Sequence, residues 1–154
     1  MSSNPQYVAV QVPATSANLG PGYDCLGIAL SLFNRAAFTV SGDWQSTRQK
    51  PTPSLLFEVN GVDACKIPKD TRNLVYQSAA IVFERAERWP TALTIELDGQ
   101  IPVGSGLGSS SAAVVAGLMA ANALTGNALS QPELLQIAAD IEGHPDKVAP
   151  AILG

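Results

Sequence analysis

Glycines at 104, 106 and 108, followed by serines at 109, 110 and 111, are the densest anion-binding chemistry in the chain. Glycine lets bare amides approach a ligand, the hydroxyls add donors, and the Ala-rich run to Leu124 reads as a helix that begins at the serines. A helix start offers unpaired N–H groups and the positive end of a dipole, so the pattern points to phosphate. The stretch Ile101-Pro-Val-Gly-Ser-Gly-Leu-Gly-Ser-Ser-Ser-Ala-Ala113 contains no lysine, which excludes a Walker A loop. Ser109 occupies the third glycine position of a dinucleotide fingerprint, and no G-x-S-x-G elbow is present. A cradle of amides and hydroxyls remains, able to hold a triphosphate when Mg²⁺ carries the compensating charge. The competing structural reading is a tight strand-to-helix turn with small residues for close packing.

Two further groups carry polar chemistry. Thr15, Ser16, Asn18 and Asp24 surround Gly20-Pro21-Gly22. In such a loop a carboxylate can meet an ammonium and an amide a hydroxyl, as a small zwitterion requires, although Asn and Asp are also ordinary turn residues. The other group is Glu142-Gly-His-Pro-Asp-Lys147. His144 is the only histidine, so a multi-histidine metal site is excluded, while Glu142 can give Mg²⁺ one of the one or two carboxylates it usually takes.

The elements that must position these groups follow from periodicity and punctuation. Residues 6–12 alternate as a strand that Pro13 ends, and 13–24 form a polar loop. A strand region covers about 25–40 with a break near Asn34-Arg35, and 41–54 form a surface excursion. Leu55–Val59 is a strand closed by Asn60-Gly61. Asp70 or Thr71 caps a helix over about 73–88, whose apolar face holds Leu74, Val75, Ala79, Val82, Phe83 and Ala86. Thr91–Leu97 is a strand and 109–124 a helix stopped near Gly126. Ser130 and Glu133 form a capping box, with Pro132 in the first turn, for a helix to about Glu142 that Gly143 ends. The remainder is a loop with a short helix. Strands followed by alternating helices predict an α+β domain with a mixed sheet.

Composition narrows the partners. Charged residues are 14% of the 154, against about 25% in ordinary domains, and the net charge is −4. The nine basic residues are scattered, which disfavours nucleic acid and anionic membranes as partners. Cys25 and Cys65 show no paired spacing and read as reduced thiols, and the longest apolar run, Ala112 to Leu124, is too short to span a bilayer. A soluble cytoplasmic protein is expected.

In order along the chain, Val12 to Asp24 with Leu26-Gly27, Pro102 to Ala113, and Glu142-Gly-His-Pro-Asp146 with Val148 to Ala151 resemble the GHMP kinase superfamily and, within it, the homoserine kinases. The resemblance covers essentially the chain from Tyr7 to Gly154. It implies an N-terminal domain of the ribosomal-protein-S5 domain-2-like type, a mixed sheet with helices on one side. It implies ATP on Pro102, Val103, Gly104, Ser105, Gly106, Leu107, Gly108, Ser109, Ser110, Ser111 and Ala112, with Ser109 and Glu142 as Mg²⁺ ligands. By the same resemblance Asn18, Asp24 and His144 line a site for L-homoserine, homodimers are expected, and the product is O-phospho-L-homoserine for threonine biosynthesis.

Two departures stand out. Lys147 replaces the Asn of the family's His-x-Asp-Asn, beside Asn18 and Asp24 as a candidate at the reacting centre. It either neutralises phosphate charge or crowds and mispairs the site, and Lys147→Asn in an otherwise complete enzyme is expected to raise turnover. The sequence stops at Gly154, within the family's Ala-Pro-Ala-x-x-Gly-Gly segment. The expectation is therefore an N-terminal ATP-binding domain, residues 1–154, without the ferredoxin-like second domain and with little turnover alone. Competing readings are a superfamily kinase for another alcohol and a non-catalytic nucleotide-binding module.

Overall fold

The computed structural model describes residues 6–17 and 26–154. Four strands form its main sheet: β1 (Tyr7–Ala17), β2 (Gly27–Val40), β4 (Ser54–Gly61) and β6 (Ala92–Gly99), in the order β1-β2-β6-β4. β1 with β2 and β2 with β6 are antiparallel, while β6 and β4 are parallel and joined through helix α1 (Leu74–Arg85). The sheet is thus mixed, as the sequence predicts. Short strands β3 (Trp44–Ser46) and β5 (Arg88–Pro90) form a separate ribbon. Helices α2 (Ser109–Leu124), α3 (Gln131–Glu142) and α4 (Val148–Leu153) complete the domain.

Register explains which face is buried. Val8, Phe38, Ile95 and Phe57 lie in one row across the sheet, and Val10, Ala36, Leu97 and Val59 in the next. These rows face the helices, whereas the alternate row of Tyr7, Thr39, Thr94 and Leu56 leaves Tyr7 and Leu56 about half exposed. α2 runs through the centre of the core, packed against β1, β2, α1, α3 and α4, which is why nearly all its side chains are small and apolar.

Several boundaries differ from expectation for local reasons. Pro13 does not end β1: it sits where the β1–β2 register shifts, between Pro13 and Thr15, a bulge that asks for no ladder N–H. Residues 13–17 are therefore strand, and residues 18–24 of the expected loop lie outside the described residues. β2 is unbroken at Asn34-Arg35. Asn34 Oδ1 instead accepts the N–H groups of Gln100 (2.8 Å) and Ile101 (2.9 Å), catching the chain as it leaves β6. α3 has the expected capping box and ends at Gly143 with φ 89°.

α1 is capped by Asn73 rather than Asp70 or Thr71. Asp70 is occupied by Arg72, whose guanidinium lowers its carboxyl to about 2. Asn73 Oδ1 accepts from Val75 N–H at 2.9 Å, and its amide donates to Pro68 O at 2.7 Å. Asn73→Ala removes the cap and strands buried polar groups, so a loss of about 2 kcal/mol is expected in urea unfolding. A loss under about 0.5 kcal/mol would contradict this assignment.

Candidate functional site

The glycine loop leaves β6, turns, and enters α2. Gly104, Gly106 and Gly108 all have positive φ, between 72° and 80°. At Gly104 and Gly106 an added Cβ would meet nothing, so only the backbone conformation selects glycine there. At Gly108 it would also fall 2.3 Å from Thr15 Oγ1. β1 therefore presses directly on the loop, and Thr15 N–H donates to Leu107 O at 2.9 Å. Thr15 is fully buried and its hydroxyl has no partner among the described residues.

The loop has two further braces. Val103 N–H donates to Asp63 Oδ2 at 3.0 Å. The Lys66 ammonium, and then the Val103 amide, hold the Asp63 carboxyl below its ordinary range. Ser105 Oγ closes the turn on Pro102 O at 2.8 Å.

At the α2 start, the Gly108 cap has no side chain to bond the first amides, and the first backbone bond into the helix is Ala112 N–H to Gly108 O at 2.8 Å. Among the described residues none accepts from the N–H groups of Ser109, Ser110 or Ser111. With a buried, unpartnered hydroxyl near them, these amides are candidates for holding an anion through backbone alone.

Glu142, the last residue of α3, comes onto this helix start. Its Oε1 accepts from Ser110 Oγ at 2.6 Å and its Oε2 from Ser111 Oγ at 2.9 Å. The carboxylate is thus held by Ser110 and Ser111, and no bond joins it to Ser109. It also brings a negative charge to a place suited to anions. Hydroxyl and carboxylate oxygens are hard donors of the kind Mg²⁺ takes, and no cluster of three or more metal-binding side chains exists among the described residues. Any cation here would complete its shell with ligand oxygens and water.

Past Gly143, His144 Nδ1 pairs with the Asp146 carboxylate, which fixes the imidazole and leaves Nε2 as the ring nitrogen for a ligand. Lys147 Nζ lies 3.4 Å from Gly106 O. The His144–Lys147 turn and the glycine loop therefore adjoin. Asn18 and Asp24 lie outside the described residues.

A cavity of about 270 Å³ opens beside the loop, between the middle of β2, the ends of β4 and β6 and the starts of α1 and α2. Val59, Ile67, Leu97 and Ala112 give it apolar walls, and Ser109 and Ser110 stand at its loop end. It is large enough for a flat heterocycle and reaches the start of α2 at Ser109 and Ser110. Sequence reasoning missed it, along with the Asp63, Asn34 and Thr15 braces. The partial signals were a solitary Asp, which precedes a one-turn 3-10 helix without capping it, and an Asn within a strand.

Among the described residues no helix is long and apolar enough to cross a membrane. Residues 73–154 match the family of GHMP kinases N terminal domain. A homoserine kinase from Synechococcus sp. is 47% identical over 147 residues, 96% of this chain and 45% of its own length. One from Carboxydothermus hydrogenoformans is 47% identical over 148 residues, again 96% of this chain and 45% of the relative. The crystal structure of homoserine kinase from Cytophaga hutchinsonii is similar with a TM-score of 0.80 and 31% identity, over 100% of this chain and 48% of that one. The chain spans about half the length of the curated relatives it matches.

Proposed function

The chain belongs to the GHMP kinase family, and we propose on that premise that residues 1–154 are the nucleotide-holding domain of a homoserine kinase. The reaction is transfer of the ATP γ-phosphoryl group to the hydroxyl of L-homoserine, giving O-phospho-L-homoserine. One observation carries the reading: Ser110 and Ser111 pin the Glu142 carboxylate against the α2 start, where free amides already select for an anion. An acid beside an anion site is repulsive unless a cation comes between them.

The roles follow. Pro102 to Ala112 receive the phosphates through loop amides and the helix start. The apolar cavity takes the adenosine end. Ser109 and Glu142 hold Mg²⁺, which when bound offsets phosphate charge and supports loss of the leaving oxygen. His144, oriented by Asp146, lines the homoserine site with Asn18 and Asp24, a carboxylate for the ammonium and an amide for the hydroxyl. Phosphoryl transfer asks mainly for such positioning and charge stabilisation. The same reading makes the protein a soluble, cytoplasmic, homodimeric enzyme of threonine biosynthesis.

Two measurements test it. Calorimetric titration of the chain with Mg·ATP is expected to give saturable binding, and its absence up to millimolar nucleotide defeats the reading. For the acceptor, the 154 residues replace the matching half of the Synechococcus homoserine kinase. ADP release from that chimera is expected to respond to homoserine and not to mevalonate or a sugar; another preferred alcohol moves the chain elsewhere in the family.

A further inference from the structure

The glycine loop has no lysine in its own sequence, yet the fold delivers one. Lys147 precedes α4, 41 residues along the chain from Gly106, and its Nζ reaches the Gly106 carbonyl at 3.4 Å. Among the described residues it is the one cationic side chain hydrogen-bonded to the loop, while Arg35, whose guanidinium bonds the Tyr7 hydroxyl, lines the neighbouring cavity. Lys66 is paired with Asp63, Arg72 with Asp70 and Arg48 with Glu87, while Arg88 lies over the Trp44 ring.

Nearby carboxylates are also engaged: Glu142 by Ser110 and Ser111, and Asp146 by His144. Among the described residues none forms an ion pair with Lys147. A long bond to a neutral carbonyl uses one of the three donors of an ammonium, and two remain for an incoming anion. Among the described residues, Lys147 is thus a cation without an ion-pair partner on the rim of an amide cradle.

We propose that Lys147 supplies the loop's missing cation and makes the site selective for a nucleoside triphosphate over shorter phosphates. The inference rests on the reading that the loop holds nucleotide phosphates. It chooses charge neutralisation over crowding for this residue, because a side chain already seated on the loop's rim occupies the periphery of the cradle rather than its centre. The terminal phosphates, which carry most charge, gain most from the ammonium, and a nucleoside monophosphate gains least.

The test is calorimetric titration of ATP and AMP, each with Mg²⁺, into the chain and into Lys147→Gln and Lys147→Arg. Lys147→Gln is expected to weaken ATP about fivefold and AMP less than twofold, while Lys147→Arg stays near the parent. The ATP difference is expected to shrink as salt rises. Thermal midpoints of the variants are expected to match the parent, because the side chain lies at the surface. If the parent binds ATP but Lys147→Gln weakens ATP and AMP equally, or tightens ATP, the inference falls while the nucleotide reading stands. If the parent binds no ATP, both fall.

Discussion

Gly117→Ala is expected to destabilise the domain by about 3 kcal/mol or more, although helix propensity alone predicts a gain of nearly 1 kcal/mol. Gly117 is buried in the middle of α2, where that helix meets α1. A Cβ there would lie 2.1 Å from Val75 O and 3.0 Å from Ser78 Cβ. The first obstacle is backbone, so no rotamer relieves it, and the helices must separate. Ser78 already turns its hydroxyl back to Leu74 O at 2.8 Å, leaving the contact as small as it can be. Against a typical total stability of about 5–15 kcal/mol the loss is large. Because the two effects have opposite signs, the urea midpoint decides between them: any stabilisation, or a loss under about 1 kcal/mol, refutes the close approach.

Glu142→Gln is expected to remove at least about tenfold of the gain in ATP affinity that Mg²⁺ confers, while ATP measured with a chelator binds as well as in the parent or better. The argument is one of sign. A carboxylate near the α2 amides repels phosphate by itself and attracts it through a cation; glutamine does neither. A purely electrostatic cap of the helix start predicts a different result, a modest loss of stability with Mg²⁺ dependence unchanged. The serine bonds at 2.6 and 2.9 Å place the acid firmly enough for the substitution to be informative. Titrations with and without Mg²⁺ give both arms, and an unchanged difference between them would remove Glu142 from metal binding.

Where local chemistry was sufficient, the sequence could be read. α2 begins and ends as predicted because its glycines, serines and Gly126 are local punctuation. The same holds for α3, with its Ser130–Glu133 box. Tertiary partners decided the rest. Asn34 has the composition of a strand break, but its side chain is occupied by two amides some 66 and 67 residues away. Pro13 reads as a terminator unless the bulge that accommodates it is known. The three-residue strands β3 and β5 exist because Trp44 packs against Phe83 and under Arg88, contacts no local window contains. The cavity lay hidden because its walls come from five elements distant in sequence.

The loop's tethers have one more consequence. Its shape is fixed by Thr15, Asn34 and Asp63, and Glu142 closes over the helix that follows. Asn34, Asp63 and Glu142 reach their partners across 31 to 67 residues of chain. A peptide of residues 100–112 would hold every glycine and serine and none of these anchors. The binding surface is therefore a property of the finished domain: it assembles only when distant parts of the chain have met, and it reports on their integrity. Under the proposed nucleotide reading, damage anywhere along those spans, however far from the serines, is expected to weaken phosphate binding.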